Sequence, residues 1–321
     1  SGTWTGPGNR NMEITSKEIT IASEEGPDTC IIDCHDTYGE SSGFTIIDCA
    51  TTGVTLQGLS IVNANAFSGS AIFCDDSILT LSNCIIQDNR AYTESVFECQ
   101  SSTITVTDSL LSDNVSYNGG AVCLIGCTAD ITNSIFEDNI AEEYAGAVYC
   151  NDSLVSLTDS QIIGNAVFSG EYGLHGGGIY IGNWTELVTI DNCQILNNSA
   201  PSKGGGIYQD GSLILTRCIV AGNTAESGGG IYCIGASELI VGGEAAHANT
   251  FDANMAMFGA DLNAEWRESK INAMANVFTG NYLSDYYVSN PDRFNLATCV
   301  SETTLIEQDV YVSPDGDDDN D

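Results

Sequence analysis

Residues 119–141 read GGAVCLIGCTADITNSIFEDNIA, and residues 145–167 read AGAVYCNDSLVSLTDSQIIGNAV. Laid over one another they are two copies of one unit, and the unit recurs along the chain. Its closing asparagine appears at Asn89, Asn114, Asn139, Asn165, Asn198, Asn223, Asn254 and Asn281, at intervals of 25, 25, 26, 33, 25, 31 and 27 residues. Self-similarity at such a period marks a solenoid, in which each unit stacks on its copies because it cannot bury its apolar face alone.

Within each unit two runs alternate strictly between apolar and polar residues. The first places Ile72, Phe97, Val122, Val148, Ile179, Ile207 and Ile231 in one column. The second places Leu79/Leu81, Ile104/Val106, Ala129/Ile131, Val155/Leu157, Val188/Ile190 and Leu213/Leu215 in another. A third short element, carrying Ile86, Leu111, Phe136, Ile162, Ile195 and Val220, precedes the asparagine. Period-two alternation means strands with one buried face. Three such strands with no helix-period segment between them make one coil of a parallel β-helix, about 25 residues per turn.

The corners carry matching chemistry. The repeated asparagine tolerates the left-handed backbone and can hydrogen-bond its own copies up the stack, a structural ladder. Asn83, Asp108, Asn133, Asp159 and Asn192 mark a second corner, followed by a column of small residues in which Ser109, Ser134 and Ser160 exchange with Cys84, Cys193 and Cys218. Glycine pairs and triplets at 119–120, 176–178, 204–206 and 228–230 precede the first strand. Stepping by the repeat also groups Cys49, Cys74, Cys99, Cys150 and Cys233 with Leu124 and Ile181 as small buried hydrophobes.

These motifs resemble the right-handed parallel β-helices of the pectin-lyase-like superfamily. Within it they are most similar to the repeats of polymorphic outer-membrane proteins and related bacterial surface proteins. The paired motif of those repeats is Gly-Gly-Ala-hydrophobic followed by Phe-x-x-Asn. Here it appears as Gly119-Gly120-Ala121-Val122, as Ala145-Gly146-Ala147-Val148 and as three Gly-Gly-Gly-Ile copies, with Phe136–Asn139, Phe251–Asn254 and Phe278–Asn281. The resemblance implies the fold and a secreted or cell-surface location. It implies little about activity, since one scaffold hosts many functions.

The repeats divide the chain into a β-helix over residues 1–281, with N-terminal coils over 1–42, regular repeats over 43–281 and insertions at 166–187 and 242–250. Residues 282–308 are expected to form a cap or crossing loop. Residues 309–321 read as a strand followed by an acidic tail, a linker or the opening of another module. Both ends resemble pieces of one opening motif, so end-to-end association with further copies, giving a filament, or with flanking domains of a longer chain, is expected.

Composition excludes several classes of partner. The chain of 321 residues carries 44 acidic and 8 basic side chains, a formal charge of −36. Eight scattered cations cannot neutralise a run of phosphates, which argues against nucleic acid and against anionic lipid. An apolar fraction of 42% is enough to bury a core. No apolar run approaches the roughly 20 residues of a membrane span.

No catalytic residues emerge from the sequence. A lyase of this fold needs a Lys or Arg base within an acidic, calcium-holding strand face. None of the eight basic residues sits in such a cluster. The hydrolases of the resembled superfamily carry an Asn-Thr-Asp, a paired Asp, a Gly-His-Gly and an Arg-x-Lys motif, of which three are absent. Leu174-His175-Gly176 is a poor echo of the third, and His175 reads as an ordinary loop residue.

Two outward features remain. Tyr149, Tyr180, Tyr208 and Tyr232 line up on the outward position of the first strand, and Trp184 lies in the longest insertion. A tyrosine stripe suits sugar rings or a protein partner, and otherwise is aromatic stacking beneath a loop. Thr80/Ser82, Thr105/Thr107, Ser156/Thr158 and Thr189 form a partial hydroxyl lattice, interrupted by Asp130, Asp191 and Ile214. The tail alternates Asp315, Asp317, Asp319 and Asp321, oxygen ligands suited to calcium. Sequons stand at Asn114, Asn151, Asn183 and Asn197. The reading these features support is a non-enzymatic extracellular adhesin, spacer or assembling subunit. The alternative is a carbohydrate-active or carbohydrate-binding β-helix.

Overall fold

A computed structural model describes residues 2–265 except 36–39, 52, 169–172, 236–237 and 243–246. Beyond them it describes residues 271–272, 276–278, 286–288, 294–295 and 300–301. Asn281 and the acidic run Asp315, Asp317, Asp319 and Asp321 lie outside the described residues.

The chain is a parallel β-solenoid, and the strands among the described residues pair in parallel with the strand one coil away, an isolated antiparallel bridge from Ser41 to Asn65 apart. Sheet one has 11 strands, among them Ile72–Asp75, Phe97–Gln100, Val122–Ile125 and Val148–Asn151. Sheet two, also 11 strands, contains Ile78–Ser82, Thr103–Thr107, Thr128–Thr132 and Leu154–Thr158. Sheet three has 12 strands, among them Ile85–Gln87, Leu110–Ser112 and Ile135–Glu137. A shorter, five-stranded side sheet runs from Asn65–Ala66 to Ala166–Val167, between sheet three and the next coil's sheet one. Register puts like above like: Ile72 pairs Phe97, Phe97 pairs Val122, and Val122 pairs Val148. The inward columns fill one continuous core, in which Leu79, Leu81, Ile86, Phe97, Leu124 and Ile162 are fully enclosed.

Three corners turn the chain with one rule, a left-handed residue followed by a small inward one. Asp76-Ser77, Asn83-Cys84 and Asp88-Asn89 are one coil's set, with φ of 42°, 49° and 57° at the first position. Asp and Asn dominate that position because their short polar side chains tolerate the left-handed region. The inward partner meets the need left by the turn, a buried N–H with no strand across from it.

At the third corner this is done by asparagine. Asn114 Oδ1 accepts the backbone N–H (3.2 Å) and the side-chain Nδ2 (3.1 Å) of Asn89 one coil earlier. Its own Nδ2 donates to the Ile86 carbonyl at 2.9 Å and to Asn139 Oδ1 at 2.9 Å. Two donor hydrogens and two acceptor bonds are thus all used, in a side chain with no solvent exposure. The same pattern runs from Asn89 to Asn223, and the last described member, Asn254, turns its Nδ2 to Asp261 Oδ1 at 2.8 Å.

At the second corner Ser109 Oγ, Ser134 Oγ and Ser160 Oγ each accept the N–H of the preceding coil, at 3.1, 3.2 and 3.0 Å. The sulfurs of Cys193 and Cys218 replace them at 3.4 Å, and the column passes into Asn249 and Asn276. A further ladder at the first corner joins Ser77, Ser102 and Ser153 to the N–H groups of Cys49, Ser77 and Cys127.

That ladder corrects the position of Cys49. Phe44 pairs Ile72, 28 residues on, so Ile46 stands above Cys74 and Cys49 lies at the corner. The strand column runs Cys74, Cys99, Leu124, Cys150, Ile181, Gln209, Cys233. The twelve cysteines among the described residues are free thiols, all but Cys30 buried.

The glycine triplets mark where coils pass closest. Gly204, at φ 65°, turns the chain into sheet one, and a Cβ on Gly205 would stand 2.5 Å from the carbonyl oxygens of both Gly229 and Thr224.

Candidate functional site

The tyrosine stripe forms as the register requires. Tyr149, Tyr180, Tyr208 and Tyr232 pair in succession across sheet one. Their rings stack at 5.1, 4.9 and 5.5 Å, with interplanar angles of 4°, 2° and 13°. A second column covers them: Tyr144, His175, Lys203 and Ser227 follow one another in single parallel bridges. Tyr144 packs 4.8 Å from Tyr180, and His175 lies parallel to Tyr208 at 4.7 Å.

Tyr232 is fully enclosed and Tyr208 nearly so, while Tyr149 and Tyr180 are half-buried. Lys203 Nζ sits 4.4 Å from the Tyr232 ring centre and donates to its hydroxyl at 2.6 Å. That hydroxyl donates in turn to Glu265 Oε2 at 2.7 Å. Burial pushes the Tyr149 phenol up to about 12 and pulls His175 down to about 4, with the nearby Lys203 charge adding to the latter. His175 is therefore neutral near pH 7, held as an aromatic plate rather than a cation. Trp184 stands apart, 71% exposed, at the turn between sheets one and two.

Earlier in the same outward column the stripe becomes Phe73, Glu98 and Cys123. Glu98 is 2% exposed beneath the side sheet, held by the Ser68 hydroxyl and by Gln100 Nε2 at 2.7 Å. Burial raises its pKa, and the carboxylates of Glu94 and Asp75 push the same way.

A concavity lies elsewhere, along the second corner between sheets two and three. It encloses about 360 Å³ and crosses successive coils, with Asn83, Asp108, Asn133 and Asp159 along one wall and Ile85, Leu110 and Ile135 along the floor. Pro27 closes one end and Gln161 flanks the other. The wall residues are exposed and the floor residues half-buried. Asn133 Nδ2 donates to Asp108 Oδ1 at 2.6 Å, and Asn192 Nδ2 donates to Asp159 Oδ1 at 2.5 Å. Both acids, which are exposed, thus have one oxygen engaged by a neighbouring asparagine, and the Arg217 charge also acts on Asp159. The sequence showed these corner residues as turn formers, and nothing in their spacing marked the groove.

The hydroxyl-bearing face of sheet two is present as columns. Thr80 pairs Thr105, Thr107 pairs Thr132, and the hydroxyls of Thr132 and Thr158 lie 3.1 Å apart. Asp130 and Asp191 interrupt it, the latter bonded by Arg217 Nε at 2.8 Å. Of the sequons, Asn114 is enclosed in the asparagine ladder, so its side chain cannot carry a glycan, whereas Asn183 and Asn197 are exposed.

No helix among the described residues is long and apolar enough to cross a membrane. No curated protein and no solved structure matches the chain. The family of the Chlamydia polymorphic membrane protein repeat matches at residues 192–210. That stretch carries the corner Asn192-Cys193, the ladder asparagine Asn198 and the glycine triplet leading to Ile207, the parts of one coil that stacking constrains most. The chain is a β-helix repeat protein, and one of its coils is similar to the repeat of a Chlamydia polymorphic membrane protein.

Proposed function

We propose that the chain is a non-enzymatic, cell-surface adhesin module, a stiff β-helix that holds a binding surface away from its anchor. The observation that carries this reading is the open groove along the second corner, built on a backbone whose three corners are each closed by a hydrogen-bonded ladder. A surface on rigid elements keeps its geometry without a partner, which lowers the ordering cost of binding. The shared membrane-protein repeat supports the location. The enclosed Tyr208 and Tyr232 favour packing over sugar stacking for that half of the stripe, which leaves the groove as the better candidate for contact.

Labelling intact cells of the source organism with a membrane-impermeant amine reagent tests the location. Antibody staining of the same cells, and competition of attachment by the purified chain, test the adhesin role. Labelling of intact cells and inhibited attachment are the expected results. Labelling only after lysis, or attachment indifferent to the purified chain, contradicts the reading.

A further inference from the structure

We infer that the groove between sheets two and three is a docking site for an extended basic peptide in the polyproline II conformation, with a Lys or Arg at every third residue. The inference deepens the surface-module reading and takes its biological setting from it.

The argument begins with spacing. Asp108, Asn133 and Asp159 are corner residues of successive coils, following the paired strand ends Thr107, Thr132 and Thr158. Neighbouring strands lie about 4.8 Å apart, so the two carboxylates stand about 9.6 Å apart along the groove. A polyproline II chain rises about 3.1 Å per residue with three residues per turn, so residues i and i+3 share one face at a separation of about 9.3 Å. A β-strand shows the same face every second residue, about 6.7 Å, which fits neither one coil nor two. An α-helix, about 10 Å across with its side chains, is too broad for a shallow corner.

Charge and lining agree with that choice. Each carboxylate has one oxygen fixed by an asparagine, which leaves the other for an incoming cation. The lining contains no basic residue, and the chain as a whole carries −36. Beside the acids the floor offers Leu110 and Ile135, with Ile85 one coil earlier and Pro27 at that end, a surface suited to pyrrolidine rings. Polyproline II carbonyls have no internal partners, and the carboxamides of Asn83 and Gln161 supply donors for them. Beyond Asp159 the corner continues through Asn192 to Arg217, whose guanidinium engages Asp191, so the cation-accepting stretch ends there.

A chain this acidic attracts any polycation, so the test must separate spacing from charge. Fluorescence anisotropy at 0.15 M salt compares labelled (Pro-Pro-Lys)4 with (Pro-Pro-Pro-Lys)4, which carry equal charge at different intervals. The expected result is at least tenfold tighter binding of the three-residue repeat. The double variant Asp108→Asn, Asp159→Asn should abolish that preference, with far-UV circular dichroism unchanged because asparagine suits both left-handed positions. Equal affinity for the two peptides, a preference that survives the double variant, or no binding of either overturns the inference. Those outcomes leave surface labelling and attachment untouched, so the ligand and the broader reading fail separately.

Discussion

Asn139 Oδ1 accepts two hydrogens from Asn114, the backbone N–H at 3.1 Å and the side-chain Nδ2 at 2.9 Å. The next coil repeats the arrangement, with Asn165 Oδ1 accepting from Asn139 at 3.0 and 2.9 Å. A buried polar side chain in this position is a linker between coils, and each link depends on the ones above and below.

Replacing Asn139 with Ala strands the Asn114 N–H groups, the Leu111 carbonyl and one acceptor site on Asn165, all within the core. Each unsatisfied buried group costs about 1–3 kcal/mol, so the loss should reach about 3 kcal/mol or more. Asn139→Asp should also destabilise, since it keeps the acceptor but loses both donors and buries a charge. The exposed Asp113→Asn, at the preceding left-handed position, should stay within about 0.5 kcal/mol. Urea unfolding of the three variants checks the order.

At the second corner, serine and cysteine do the same task. Ser134 Oγ accepts from the Ser109 N–H at 3.2 Å and donates to the Thr132 carbonyl at 2.9 Å, while Cys193 accepts from Ser160 at 3.4 Å. Ser134→Cys should therefore cost about 1 kcal/mol or less, and Ser134→Ala about 1–3 kcal/mol through the unpaired N–H. Thermal unfolding distinguishes them.

Much of this was legible in the sequence because stacking makes columns. The asparagine at 89–254 and the Ser/Cys column recur at the coil period, and the alternating apolar runs name the inward faces. Cys49 was misplaced because its coil has extra residues at the corner following Phe44–Ile47, so a step of 25 from Cys74 lands outside the strand. The first-corner ladder of Ser77, Ser102, Cys127 and Ser153 recurs at the same period, but the left-handed residue before it changes between Asp76, Ser101, Gly126 and Asp152, so no constant Asn/Asp marked that corner as a turn. The groove is a product of how two sheets meet. A linear reading finds Asn83, Asp108, Asn133 and Asp159 as turns, and only the folded coil sets them beside Ile85, Leu110 and Ile135.

Glu98 makes stability depend on pH. Its pKa is raised above the ordinary 4.5, chiefly by burial, so the folded chain favours the neutral acid. Its contribution is complete below the unfolded value and is lost as pH rises through the folded one. Glu98→Gln keeps the neutral shape at every pH. The variant should match the parent in Tm near pH 4 and exceed it at pH 8, and a difference that is the same at both pH values would contradict the assignment.

The close passage of coils at the glycine triplets predicts a contrast between neighbours. Gly205→Ala drives a Cβ into two backbone carbonyls that cannot move independently of the stack, and should cost about 2–3 kcal/mol. Gly206→Ala meets one carbonyl, that of Gly230 at 2.6 Å, and should cost less because the same place in earlier coils is held by Ala121 and Ala147. Denaturant midpoints of the pair test it.

Hydrogen exchange of the asparagine side-chain amides, followed by NMR, reads the ladder itself. If the coils are linked as described, the Nδ2 hydrogens of Asn114, Asn139, Asn165 and Asn198 should exchange only through global unfolding, as slowly as the most protected backbone amides, while the exposed Asn133 exchanges rapidly. Exchange of the four ladder amides at the rate of Asn133 would mean that the asparagines do not join the coils, and would contradict the account.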